Sequence, residues 1–182
     1  MLLQILRKEK LFEGKFIKLW STIFLDKKGN ECVWEWMDKK DLALVLALTK
    51  DKKIVLIKNY RVPIEKYTIE LPAGLLDKVD ENPEEAARRE LLEETGYTGE
   101  NFIAVTPFAN SVAAMNSIAH PFVLVDARKV SKPNLEDSED IEVIEVPCDE
   151  LYDFYEKSST EGLDFNIRIL ALYEIAKRKG LI

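Results

Sequence analysis

The sequence predicts an α+β domain, a layered α/β/α sandwich with a mixed sheet and an N-terminal β-hairpin region. Three observations carry this. Short runs of branched and aromatic residues alternate irregularly with helical segments, unlike the regular succession of a parallel doubly wound sheet. Near the start, two extended runs flank the turn signal Lys27-Lys28-Gly29-Asn30. In the middle, one helical segment carries stop signals at both ends, Asn82 before it and Gly96 after it. A length of 182 residues with 47% hydrophobic content suits a single domain with a sizeable core.

Taken in order, Phe16 to Leu25 and Glu31 to Met37 read as the two strands of the hairpin. Leu42 to Leu48 and Ile54 to Ile57 are continuous apolar runs, as expected of buried strands, and Lys50-Asp51-Lys52 turns one into the other. Thr68 to Leu71 is short and extended and stops at Pro72. The central helix follows, with Asn82 as N-cap, Pro83 at the first helical position, Glu85 at capping-box spacing and Gly96 as the C-terminal stop. Phe102 to Phe108, Phe122 to Val125 and Ile141 to Val146 read as strands, and Asp149 to Lys157 and Asn166 to Lys179 as helices. The small-residue stretch between Val105 and Phe122 is expected to be a loop near the ligand.

The net charge of −7 leaves no basic excess for a nucleic-acid backbone, although a small phosphorylated ligand needs only a few local cations or a metal. Cys32 and Cys148 are far apart and form no CxxC pair, so a reducing cytoplasm is expected. The apolar start from Met1 to Leu6 is broken at once by Arg7-Lys8-Glu9-Lys10. It is too short for a signal-peptide core or a membrane span, and no membrane partner is expected.

The segment from Pro72 to Gly99 carries the chemistry. At 3.6 residues per turn, Glu90, Glu93 and Glu94 fall within an arc of roughly 100° on one helix face. Carboxylates crowded there repel one another unless a cation sits among them, and hard oxygen donors suit Mg²⁺, an ion that works chiefly at phosphates. Pro72-Ala73-Gly74 would let the backbone pass close to such an ion and offer a carbonyl. Arg89 can pair with Glu93 or Glu85 and hold a ligand in one rotamer. The plainer reading is a solvated helix laced by the pairs Glu84/Arg88, Glu85/Arg89 and Arg89/Glu93.

Glu81, then seven residues, then Arg89-Glu90-Leu91-Leu92-Glu93-Glu94-Thr95-Gly96 resembles the Nudix box, with Tyr97 in its final bulky place. One departure is present: six residues, not five, separate Gly74 from Glu81. Either one residue is added in the Lys78-Val79-Asp80 loop, or Asp80 takes the Glu place. The resemblance implies the Nudix-type α/β/α sandwich and hydrolysis of a nucleoside diphosphate linked to another moiety. It also implies Mg²⁺, or Mn²⁺, held by Glu90, Glu93, Glu94 and the Ala73 carbonyl.

Glu13 to Leu19, Trp34-Glu35, Lys58-Asn59-Tyr60-Arg61 and Ile69 to Gly74 are similar to the ADP-ribose and nucleoside-diphosphate-sugar pyrophosphatase branch. By that resemblance residues 1–40 form a hairpin region for dimerisation and base binding, and residues 41–182 the hydrolase domain of a homodimer. Phe16 and Trp34 stand where aromatics sandwich the base. Arg61 is the expected phosphate clamp, and Glu70 a substrate contact or support for the metal site. Met115 is placed beside the substrate in the loop Val112-Ala113-Ala114-Met115-Asn116. The branch draws its general base from a loop after the box, here Leu135 to Glu142. Glu139 matches best, and Glu136 and Glu142 remain candidates. Arg89 completes the expected catalytic set. Near Ala113 the chain lacks a proline often present in the ADP-ribose branch, which opens the sugar to question. GDP-mannose or another nucleotide sugar is the alternative substrate, and a non-catalytic nucleotide sensor the alternative from another class.

Overall fold

The structure, a computed structural model, describes residues 3–78, 81–137 and 139–182. In chain order its strands and helices begin with β1 (Gln4–Glu13), β2 (Lys18–Leu25), β3 (Glu31–Asp38), β4 (Leu42–Thr49), β5 (Lys53–Arg61), β6 (Lys66–Glu70) and β7 (Ala73–Leu75). They continue with α1 (Pro83–Thr95), β8 (Tyr97–Thr98), β9 (Asn101–Ala104), β10 (Phe108–Ala109), β11 (Ile118–Lys129), β12 (Ile141–Pro147), α2 (Leu151–Thr160), β13 (Asp164–Phe165) and α3 (Arg168–Arg178). The chain divides into two compact units. One runs to Asp41 and includes Pro107–Ala119; the other comprises Leu42–Thr106 and His120–Ile182.

The first unit is built on an antiparallel sheet of order β1-β2-β3. The expected hairpin is there, with Trp20 opposite Trp36, their rings stacked with centroids 6.1 Å apart. Strand β1 was not anticipated. All ten of its residues are exposed, so it has no buried face to impose an apolar alternation, and the charges of Arg7 to Lys10 conceal it. Residues 107–119, expected within the 41–182 region, belong to this unit. They are tied to the end of β3 by Met37 N–H to the Ala114 carbonyl (2.8 Å) and by Asn116 Nδ2 to Asp38 Oδ1 (2.7 Å).

In the second unit the strand order is β11-β4-β5-β6-β13, with β12 antiparallel to β5 and β13 parallel to β6, so the sheet is mixed. Strand β4 is buried on both faces. Its residues Ala43, Val45 and Ala47 join Ala86, Ala87 and Leu91 of α1 in one core cluster. The alternate residues Leu44, Leu46 and Leu48 point the other way, the side on which α3 contacts β4 and buries Ile169 and Leu172. Helices on both faces make the expected sandwich. Strand β9 ends at Ala104, short of the expected Phe108: the Val105 N–H still donates to the Pro121 carbonyl (2.9 Å), but Pro121 has no N–H to return. No described helix is long and apolar enough to cross a membrane.

Candidate active site

The two ends of α1 set the site. Asn82 accepts from the Glu84 N–H (2.9 Å) and Pro83 occupies the first turn. At the other end Gly96 adopts φ +74° and returns its N–H to the Leu92 carbonyl, as a left-handed cap requires. Between the caps the buried residues Ala86, Ala87 and Leu91 fix the rotation of the helix, and that rotation aims Glu90 and Glu94 at β7.

Strand β7 lies antiparallel to β4, with Gly74 opposite Ala43. The Ala73 N–H donates to Glu94 Oε2 at 2.9 Å. Gly74 is not at a positive φ; space, not backbone freedom, demands glycine. A Cβ there would stand 1.9 Å from the Glu90 carboxyl carbon. Pro72-Ala73-Gly74 therefore admits the Glu90 carboxylate into the room a side chain would take.

Arg89 ties the site together. Its Nε donates to Glu81 Oε1 at 3.1 Å, Nη1 to Glu90 Oε1 at 2.5 Å and to Glu93 Oε2 at 3.1 Å, and Nη2 to the Leu75 carbonyl at 3.2 Å. Of the two expected partners it takes Glu93. The contacts that do more are Glu81 and Glu90, while Glu84 pairs with Arg88. Desolvation works to lower the Arg89 pKa, but hydrogen bonds to Glu81, Glu90 and Glu93 outweigh it and hold the group charged. Glu81 also accepts from the N–H groups of Asp77 (3.0 Å) and Lys78 (3.3 Å), so it fastens the loop ahead of the helix. Glu81 is thus the acid paired with Arg89; Val79 and Asp80, on which the other reading of the Glu place turns, lie outside the described residues.

A cavity of about 400 Å³ opens over these groups, lined by Glu90, Glu93 and Glu94, by Ala73 and Gly74, and by Glu136 and Glu139 from the acidic loop. Glu94 is 5% exposed, and desolvation, reinforced by the like charges of Glu90 and Glu139, raises its pKa to about 8 despite the Ala73 N–H. Burial likewise raises Glu90, with Glu93 and Glu139 adding to the shift. Among the described residues, no three acidic, histidine or cysteine side chains converge in metal-ligand geometry, and Arg89 donates to two of the carboxylates. The donor set nonetheless fits a hard divalent cation. It consists of oxygens only, and like charges crowd the buried Glu94 and largely buried Glu90, a strain a cation would relieve.

The acidic loop is fastened at both ends. The Asn134 N–H donates to the Glu93 carbonyl (2.8 Å), the Tyr67 hydroxyl to Asp140 Oδ2 (2.7 Å) and the Tyr60 N–H to the Asp140 carbonyl (3.3 Å). Within the loop the Glu136 N–H donates to Glu139 Oε2 (2.8 Å), which orients that carboxylate. Ser138 lies outside the described residues. Of the three candidate bases, Glu139 and Glu136 line the cavity, whereas Glu142 is exposed and paired with Lys58. Tyr67→Phe removes the side-chain tie next to Glu139. It is expected to lower kcat by about 3–10-fold with KM within twofold, as loss of alignment should. Steady-state kinetics check this, and an unchanged kcat would deny the tie any role.

Arg61 is not an open clamp. Its Nε and Nη2 both donate to the Glu70 carboxylate at 2.6 Å, and the Thr68 hydroxyl also donates to Glu70. Instead of standing open to a phosphate, Arg61 is held in an ion pair with Glu70. Both residues line a second cavity of about 350 Å³ that also includes Ala73, Gly74 and Leu75. Asn166 and Arg168, which the sequence reading passed over, line it as well. Their only sequence signal is a polar pair at the start of the last helix.

In the other unit, Trp34 is 53% exposed and its indole N–H donates to the Ala113 carbonyl at 2.9 Å. It lines a cavity of about 260 Å³ with Trp36, Val112, Met115 and Asn116. The structure thus brings Trp34 and Met115 together. Phe16, 76% exposed beneath Lys15, is not among the residues lining that cavity. Neither aromatic is in the core.

Residues 38–163 match the model of the NUDIX domain. The chain belongs to the Nudix family. A Bacillus subtilis relative, ADP-ribose pyrophosphatase, is 35% identical over 144 residues, 79% of this chain and 77% of that protein. A GDP-mannose pyrophosphatase of Cronobacter sakazakii is 31% identical over 159 residues, 81% of this chain and 82% of that one. Among solved structures an ADP compounds hydrolase superposes with a TM-score of 0.81 over 99% of this chain and 97% of its own. At 21% identity that likeness speaks for the Nudix fold alone. The Nudix box is the segment in which Glu81, Arg89, Glu90, Glu93 and Glu94 meet.

Proposed function

We propose that this Nudix protein hydrolyses the diphosphate bond of ADP-ribose or a closely related nucleoside diphosphate sugar, giving a nucleoside monophosphate and a sugar phosphate. The observation that carries the reading is the carboxylate cavity, in which Glu90, Glu93 and Glu94 face Glu139. Mg²⁺, or Mn²⁺ in its place, would be held by these box carboxylates with the Ala73 carbonyl. Such an ion supplies neutralisation of diphosphate charge and a lowered pKa for attacking water. Arg89 keeps Glu90 and Glu93 in place. Glu139, oriented by the Glu136 N–H, takes the proton from the water that attacks phosphorus.

Trp34 and Met115 are the proposed base and substrate contacts of the N-terminal unit, with Phe16 a further aromatic there. Trp34→Ala is expected to raise KM about 5–100-fold while kcat changes little, since stacking on an aromatic is worth about 1–3 kcal/mol per base. A lowered kcat at constant KM would remove Trp34 from the base site. Ile5, Phe12 and Val33 of the three-stranded sheet are more than half exposed, which supports self-association as a homodimer. Sedimentation equilibrium tests that, and a cytoplasmic setting fits the two free cysteines.

The functional test is Mg²⁺-dependent hydrolysis of ADP-ribose beside GDP-mannose, other nucleotide sugars and a nucleoside triphosphate. Preferential release of AMP from ADP-ribose supports the reading. Preference for GDP-mannose, the alternative that the relatives also support, would keep the chemistry and shift attention to Ala113. Tight nucleotide binding with no turnover would mean a sensor.

A further inference from the structure

The basic residues of β1 are not alike. Arg7 pairs with Glu9 (2.7 Å) and Lys10 with Glu13 (2.6 Å). Lys8, between them, has no hydrogen bond or ion pair among the described residues, and its Nζ lies 5.4 Å from the centroid of the Trp36 ring. Strand pairing explains this position. Lys8 is opposite Thr22 and Thr22 is opposite Trp34, so the three share one face of the sheet. Trp36, two residues along β3, is on that face too, and its indole N–H donates to the Thr22 hydroxyl (2.9 Å). Lys8 thereby joins Trp34, Trp36, Met115 and Asn116 in the lining of one cavity.

The other polar side chains of that lining are already engaged. Asn116 Oδ1 accepts from the Lys39 N–H (2.9 Å) and its Nδ2 donates to Asp38 Oδ1 (2.7 Å). The Trp34 indole N–H goes to the Ala113 carbonyl (2.9 Å). A base stacked on Trp34 therefore meets one unengaged side chain, an ammonium that can only donate. Guanine presents two acceptors, N7 and O6, along one edge, whereas adenine presents N7 beside an amino group that itself donates. We propose that Lys8 reads the base of the bound nucleotide, donating to its acceptor edge and favouring guanine relative to adenine. The proposal deepens the pyrophosphatase reading and rests on it and on Trp34 as the base contact. It concerns the ratio between the two bases, whichever of them the wild type prefers.

GDP-ribose and ADP-ribose differ only in the base, so their ratio isolates its recognition. Both are titrated calorimetrically in Ca²⁺ into wild type, Lys8→Met, Lys8→Arg, Trp34→Ala and Lys28→Met, and kcat and KM are measured in Mg²⁺. Methionine keeps an apolar stem over Trp36 and removes the charge. Lys28, in the turn between β2 and β3, controls for net charge. The expected result is that Lys8→Met lowers the guanine-to-adenine ratio, in affinity and in kcat/KM, about 5–30-fold with kcat little changed. Lys8→Arg should keep most of the ratio, Lys28→Met should behave as wild type, and Trp34→Ala should weaken both nucleotides alike. A ratio within twofold of wild type in Lys8→Met, equal weakening of both nucleotides there, or the same shift in Lys28→Met overturns the assignment while leaving the hydrolase reading intact. Trp34→Ala that weakens neither nucleotide takes the base out of this cavity and the assignment with it. The expected shift in binding, in a protein that turns neither nucleotide over, supports the assignment and removes the hydrolase reading. No saturable binding of either nucleotide to wild type overturns both.

Discussion

Glu94→Gln is expected to lower kcat by about 10²–10⁴-fold while the protein stays folded. Glutamine is close to isosteric, and its carbonyl oxygen can still accept the Ala73 N–H that Glu94 now holds at 2.9 Å. What disappears is the negative charge at the most buried carboxylate of the cavity. That charge is costly in the metal-free protein: desolvation raises the Glu94 pKa to about 8, with Glu90 and Glu139 adding to it. Below about 4.5 the folded and unfolded chains are both protonated at this position. As pH rises towards 8 the unfolded chain releases the proton and the folded one keeps it, so this group's contribution to stability falls across that window. In chelator at pH 8 the glutamine variant should therefore melt no lower than wild type. Added Mg²⁺ should raise the wild-type Tm more than the variant's. Activity and stability thus move in different directions, which ordinary misfolding would not produce. Glu139→Gln should show the same loss of kcat, because glutamine can still accept the Glu136 N–H but cannot take a proton. It should leave the Mg²⁺-dependent Tm shift in place. A Glu94→Gln enzyme of nearly full rate would mean that no essential ion is held there, and full rate in Glu139→Gln would pass the base role to Glu136.

The parts of this site that were legible in the sequence are those set by local geometry. Asn82, Pro83 and Gly96 mark the ends of α1 because caps act over one turn, and the shared face of Glu90, Glu93 and Glu94 follows from helical periodicity. Glu139 was pointed to by the resemblance to the pyrophosphatase branch, and it lines the same cavity as the box carboxylates. What was not legible depends on partners distant in the chain. Arg61 offers the same fork to a phosphate or to Glu70, and only the antiparallel pairing of β5 with β6, which sets Arg61 opposite Lys66 and brings Glu70 within reach, decides which it holds. Arg168 lines the second cavity because β13 pairs in parallel with β6 and delivers the start of α3 there. Strand β1 left no pattern because a strand exposed along its whole length needs none.

Gly74→Ala should be the most damaging substitution that adds a single methyl group, costing at least about 10² in kcat/KM with little change in Tm. The added Cβ would lie 1.9 Å from Glu90 Cδ and 2.0 Å and 2.5 Å from its two carboxylate oxygens. These atoms are the end of a flexible side chain, so the fold can yield by swinging Glu90 away. The backbone need not strain, because Gly74 is not in the left-handed region. The displaced carboxylate leaves Arg89, its 2.5 Å partner, and with it the position from which it would hold a cation. The apparent Mg²⁺ requirement should rise together with the loss of rate. Gly96 supplies the contrast. It sits at φ +74°, and its Cβ would meet the Ser131 carbonyl oxygen at 2.1 Å, a backbone atom that cannot swing aside. Gly96→Ala should therefore cost stability first, by more than the roughly 1–2 kcal/mol of a left-handed alanine alone. Its activity should fall only as the folded fraction falls. Thermal melts and Mg²⁺ titrations of the two variants side by side distinguish the causes. A Gly74→Ala protein that keeps its rate and metal requirement would show that Glu90 need not occupy the space above that residue.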